Sequence, residues 1–236
     1  MSKGWYKTGN EGYETAQRIQ EELKDGYAPF RFFLKPGASA KVTFLDTEGF
    51  YFHEHMIQVN NKWTNYTCLR DFSECPICDS GDRPGYVCAY TVIDHSRYEG
   101  KNGIVQNTKK LLVVRPAVMN KLARRRETLE GNLAYCVFLF SRDSKNECAT
   151  GEDIEHVKRV NPQELAKVCN TGGKLSDADF LKPFDYMTIF APKSVDELRK
   201  IVGQAPVGSD NYSRGRDDMP PPESGSVSES SIEDLL

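Results

Sequence analysis

HMIQVNNKWTNYTCLRDFSECPIC, residues 55–78, carries the densest chemistry in the chain. Cys68, Cys75 and Cys78 lie within eleven positions, and twelve residues separate His55 from the first of them. Cys75-Pro76-Ile77-Cys78 is a CxxC turn, whose tight backbone can present two thiolates to one metal. His55 and Cys68 would come from a preceding hairpin that turns at Asn60-Asn61. One histidine and three cysteines fill a tetrahedron with no open position, so the expectation is one structural Zn2+ rather than a catalytic metal. His53 falls on the same strand face as His55 and is the alternative histidine ligand, and Cys88 is the outside candidate for the fourth position. A redox role for the CxxC would need a βαβ setting, and none is visible.

Outward from that cluster the texture is one of short strands. FRFFL (30–34), KVTFL (41–45), FYFHEHMIQV (50–59) and KWTNYT (62–67) precede it, with turns at Pro36-Gly37 and Glu48-Gly49. GYVCAYTVID (85–94), IVQNTKKLLVV (104–114), NLAYCVFLFSR (132–142) and DYMTIFA (185–191) follow it as further strands. Helical patterns occupy 10–25, 117–129, 162–170 and 194–202. Many strands, few helices and no βαβ rhythm predict a mostly β chain of barrel type. The expected organisation is an N-terminal arm and helix at 1–27, a core at 28–202 with the metal unit inserted at about 53–85, and a tail at 203–236. The tail is rich in Gly, Pro, Ser and Asp and cannot bury enough apolar surface to order itself. Its tip, Ile232, Glu233, Asp234, Leu235 and Leu236, mixes apolar and acidic side chains and is a candidate partner-binding segment.

The 236 residues are 39% hydrophobic and 11% aromatic, enough for a core, and carry a formal net charge of −3. That average hides an asymmetry: residues 205–236 hold seven acidic side chains against two basic ones, and the rest holds 29 basic against 27 acidic. A mildly basic body with an acidic tail is compatible with a basic groove. No apolar window approaches the roughly 18 residues of a spanning helix, and the opening MSKGWYKTGNEG has no secretory h-region. The expectation is a cytoplasmic protein with reduced cysteines and no membrane partner.

Binders of unpaired nucleic acid combine stacking aromatics with a cationic groove. The candidates here are Trp63, Tyr66, Tyr86, Tyr90 and Tyr98, with Arg83, Arg97, Lys109, Lys110, Arg115 and Arg124 for phosphates. Tyrosines are preferred over phenylalanines because the hydroxyl tolerates a wet face. There is no carboxylate cluster with metal spacing, no Ser/His/Asp set and no phosphate loop, so an enzyme is not expected. Asp94-His95 reads as a turn.

The segment His55, Asn60-x-Lys62-Trp63, Cys68 and Cys75-Pro76-x-Cys78 resembles the zinc region of the single-stranded DNA-binding protein of T-even bacteriophages. FRFFLKPG before it and CAYTVIDH (88–95) after it resemble the family's flanking strands, and the acidic tail matches its layout. The interval from Cys68 to Cys75 is shorter than the family's. The resemblance implies an OB-fold core with a zinc subdomain and single-stranded DNA in a cleft between them, in the cytoplasm of a host cell. It also implies a role in replication, recombination and repair, with the tail contacting polymerase-, helicase- or primase-type proteins and self-association on DNA. The competing expectation is a zinc-ribbon adaptor that docks a protein of a replication or transcription complex.

Overall fold

The computed structural model describes residues 29–100, 103–170 and 176–203. The chain divides into two compact units, Met1–Phe30 and Arg31–Leu236, and all that follows concerns the second. The expected helix at 10–25 and the tail, including its Ile232–Leu236 tip, lie outside the described residues.

The chain is mostly β. Its strands are β1 (Ala38–Phe44), β2 (Phe50–Val59), β3 (Lys62–Thr67), β4 (Gly85–Asp94), β5 (Tyr98–Gly100), β6 (Gly103–Val105), β7 (Thr108–Val114), β8 (Cys136–Arg142) and β9 (Asp153–Arg159). The helices are α1 (Pro76–Asp79), α2 (Pro116–Thr128), α3 (Pro162–Cys169), α4 (Asp177–Leu181), α5 (Tyr186–Ile189) and α6 (Val195–Val202). Seven strands form one antiparallel sheet in the order β3-β2-β4-β1-β8-β9, with β7 on the other edge of β4, and β5-β6 is a separate hairpin. Among the described residues the ladder does not close into a ring.

β4 organises the sheet. β2 and β1 share one of its edges end to end: Phe50–Glu54 pair with Ala89–Gly85, and Val42–Phe44 pair with Asp94–Val92. The link 45–49 is therefore a bend within what is otherwise one long strand. Gly49 makes the bend possible, because a Cβ there would sit 2.0 Å from the Cys88 sulfur and 2.8 Å from the Tyr90 ring. At the other end of β2, Asn60 and Asn61 both adopt positive φ (49° and 62°) in the two-residue turn to β3. Asparagine tolerates that region, and the turn's twist suits the hairpin.

The sheet curls around Phe44, whose ring lies edge-on to Tyr90 (5.1 Å) and Phe138 (5.2 Å). Val118, Met119 and Leu122 of α2 close one end of this core. In place of the expected strand at 30–34 there is a single bridge, Arg31 to Leu111. Phe32 N–H donates to Leu111 O and Leu34 N–H to Ala149 O, so the segment spans from β7 to the turn after β8.

Three further expectations are corrected. The run 104–114 is two strands, broken where Asn107 takes φ 55° and its side chain bonds His95. The strand expected at 132–142 starts only at Cys136, after Tyr135 at φ 63°. The run 185–191 is not a strand: Asp185 caps the amides of Met187 and Thr188 and turns the chain into α5. Sequence reasoning assigned nothing to 143–161, where β9 forms.

Residues 180–202 strap the outer face of the sheet. Phe180 packs with Leu45, Ile93 and Leu165. Tyr186 and Phe190 stack on Phe50, 5.3 and 6.0 Å between centroids. Thr67 Oγ1 donates to Phe190 O, and α6 then buries Leu198 among Ile57, Leu69 and Ile77.

Candidate metal centre and aromatic face

β2, β3 and α1 bring His55, Cys68, Cys75 and Cys78 together, with ligand atoms all within 4.8 Å of one another. The sulfur of Cys68 is 3.8 Å from that of Cys75 and 3.5 Å from that of Cys78. His55 Nε2 is 3.4 Å from the Cys75 sulfur and 3.5 Å from the Cys78 sulfur. A tetrahedral zinc with ordinary bond lengths would set S···S near about 3.8 Å and N···S near about 3.6 Å. The four residues can hold one metal ion, and their spacing is compatible with one zinc.

The thiols explain why a cation suits the site. Burial pushes Cys68 up to about 12 against the opposing N–H of Arg70. Burial acts on Cys75 too, but the backbone N–H groups of Leu69, Cys78 and Ile77 outweigh it and bring that thiol down to about 7. Burial raises Cys78 as well. Three thiols in one buried space cannot all ionise beside each other without a positive charge at the centre, and metal ligation requires them to. His55 is fully buried, and its Nδ1 lies 2.6 Å from Asp82 Oδ2. That carboxylate holds the ring so that Nε2 faces the sulfurs, the arrangement of a carboxylate–histidine–metal triad.

His53 is not in the cluster. It faces Tyr86 across β4, with its Nδ1 2.7 Å from Asp71, whereas His55 faces Tyr66 across β3. Cys88 is also elsewhere, fully buried beside Gly49 and Tyr90. All seven cysteines are free of disulfides.

The same face of β2 and β4 carries an exposed aromatic row. Tyr51 and Tyr86 are 43% and 44% exposed, their rings stacked with centroids 6.1 Å apart. The His53 ring lies 4.9 Å beyond Tyr86. The Tyr51 hydroxyl reaches inward to Tyr90 and Cys88, which holds the ring while leaving its face open. Arg126, at the end of α2, acts electrostatically on Tyr51 and pairs with Glu48. Exposed Arg83 precedes β4 by two residues.

Several expected nucleic-acid contacts lie elsewhere. Tyr90 is 2% exposed and belongs to the core, where no base can reach it. Lys109 donates to Phe180 O and Lys182 O and lies over the Phe184 ring, so it holds the strap, and burial lowers its pKa. Lys110 is paired with buried Asp94 at 2.7 Å and lies over the Tyr98 ring. Tyr98, Arg97 and this pair stand at the far end of β4, roughly 25 Å along the strand from Tyr86. Tyr66 packs partly into the metal lobe, and Trp63 is half-buried on β3. Arg115 is half-buried at the start of α2, and Arg124 is exposed on that helix. Tyr51 and Arg126 belong to the wider pool of aromatic and basic side chains in residues 27–126 but were not singled out as contacts. The alternation of FYFHEH, which sets Tyr51 and His53 opposite Phe50 and Phe52, was the available signal. Asp94-His95 is buried rather than a plain turn: His95 bonds Thr43 and Asn107.

No protein-family model matches the sequence, and no curated protein sequence is significantly similar to it. Among the described residues no helix is long and apolar enough to cross a membrane.

Proposed function

We propose that this protein is a non-enzymatic, sequence-tolerant binder of single-stranded DNA, built on an OB-type barrel with one structural zinc. The observation that carries the reading is the open Tyr51–Tyr86–His53 row on strands shared by the barrel and the metal lobe. Exposed stacked rings offer a platform to unpaired bases of any sequence, each worth about 1–3 kcal/mol. Arg83, Arg124 and Arg126 are the candidates for phosphates, and Arg126 acts on Tyr51 itself.

The strand order supports the barrel type. β1 and β2, taken as one bent strand, are followed by β4, β7, a helix, β8 and β9, the succession of an OB fold. The 31–34 segment fills the gap between β7 and the turn after β8 that a closed barrel would seal by strand pairing. Zinc at His55, Cys68, Cys75 and Cys78 would add folding free energy to the lobe that forms one wall of the groove. In this reading the DNA is coated during phage replication, recombination and repair, and the acidic tail recruits replication proteins.

Titration of fluorescent oligo-dT at low and high salt tests the proposal. Binding that weakens steeply with salt is expected. Tyr51→Ala and Tyr86→Ala should each weaken it about five- to a hundred-fold while leaving the salt slope unchanged. Absence of binding at low salt would refute the reading and favour a zinc-ribbon adaptor.

A further inference from the structure

The core of the metal lobe is completed by a segment that arrives from more than a hundred residues away. Leu198 of α6 is fully buried, in one cluster with Ile57, Cys68, Leu69, Cys75 and Ile77, and Val195, Ile201 and Val202 pack around it. Arg199 reaches Glu74, the residue before Cys75, at 3.6 Å. Three of the four candidate ligands, Cys68, Cys75 and Cys78, therefore belong to or pack against the same apolar cluster that holds the C-terminal helix. Upstream of α6 the chain is tied to the sheet at intervals. Lys109 donates to the carbonyls of Phe180 and Lys182. Thr91 Oγ1 accepts from Phe184 N–H, and the Tyr186 hydroxyl donates to Asp46. Thr67, which immediately precedes Cys68, donates to Phe190 O.

We infer that the C-terminal part of the strap, from residue 184 on to 203, is clasped by the metal centre, so that metal occupancy and the docking of this part are one equilibrium. The physical reason is geometric. Without a cation the three buried thiols and His55 lose the charge that holds them together. The CxxC turn and the Cys68 end of β3 are then free to shift, and these form the floor on which Leu198 sits. Once α6 lifts, Phe190 and Tyr186 lose their anchor downstream, and the outer aromatic face of Phe50 and Phe52 is uncovered. The long acidic segment that follows Gly203 would then be rooted on a loose strap rather than on the metal lobe. The coupling must run in both directions, because a helix that favours the metal-bound lobe is itself favoured by the metal.

The inference rests on the metal reading alone, and its test needs no DNA. Hydrogen exchange of the full chain is followed by mass spectrometry before and after chelation. The expected result is loss of protection in 184–203 together with 53–82, while β1, β7 and β8 stay protected. Retention of protection across 184–203 while 68–78 loses it would overturn the inference, as would an even loss that includes β1 and β8. The reciprocal arm measures transfer of zinc to a chromophoric chelator. Leu198→Ala should speed transfer about tenfold, whereas Leu122→Ala, a comparable truncation in the core around Phe44, should leave it unchanged. Equal rates for the two variants would overturn the coupling. Protein that retains no zinc at all would refute the metal centre itself, a result separable from any failure to bind oligonucleotides.

Discussion

At the scale of single residues, two carboxylates have opposite roles. Asp82 lies against His55 Nδ1 at 2.6 Å and orients a candidate ligand. Groups of this kind are typically worth about 10–100-fold in metal affinity. Asp82→Ala should weaken zinc by that factor in chelator competition, and an unchanged affinity would make the contact incidental. Asp46 is buried, and desolvation raises its pKa to about 6 despite the bonds it accepts from Thr91 N–H and the Tyr186 hydroxyl. A carboxyl that binds its proton more tightly when folded stabilises the fold below its unfolded pKa, near 3.8, and that contribution is lost as the pH rises through about 6. The loss is on the order of 2–3 kcal/mol. Asp46→Asn retains an acceptor oxygen and carries no charge to bury. Relative to wild type it should gain stability between pH 4 and 7, read from denaturant midpoints at the two pH values. The same difference at both would show that the Asp46 charge does not matter.

At the scale of elements, α6 has a short sequence and a heavy structural load. Ser194 caps it, accepting from Glu197 N–H while the Glu197 side chain accepts from Ser194 N–H. Ser194→Ala should cost about 1 kcal/mol, seen as a lower thermal midpoint, and a change of a few tenths would mean that packing of Leu198 alone holds the helix. The helix at 194–202 was legible in the sequence, and so were the bounds of β2, β3 and β4, set off by Asn60-Asn61 between β2 and β3 and by Pro84 before β4. The candidate metal ligands were legible because CxxC spacing and a hairpin leave little freedom, and the structure brings the same four side chains together. The 185–191 run was misread because its aromatic and β-branched residues favour a strand locally, while Asp185 satisfies two amides that only a helix would present. Tyr90 was misplaced for a different reason. Alternation assigns a side chain to a face, but on a curled sheet one face passes from open surface to closed core within four residues, from Tyr86 to Tyr90.

At the scale of the whole molecule, charge is partitioned along the chain. The body up to residue 204 has 29 basic and 27 acidic side chains, and residues 205–236 have two basic and seven acidic. On the proposed function, a chain ending at Gly203 should bind oligo-dT more tightly than the full chain at low salt, with the two converging as salt rises. Equal affinity at low salt would mean that the acidic segment does not act on the groove.

The shared ownership of the metal lobe also bears on dissection of the protein. The expected insert at about 53–85 contains every candidate ligand, yet its apolar centre is sealed by Leu198 and its strand β2 leans on β4. A synthetic peptide spanning only that insert would leave Ile57, Leu69 and Ile77 without their lid. Unlike a self-contained zinc finger, this lobe is not portable. Grafted into another scaffold, it would have to travel with the last helix of its own chain.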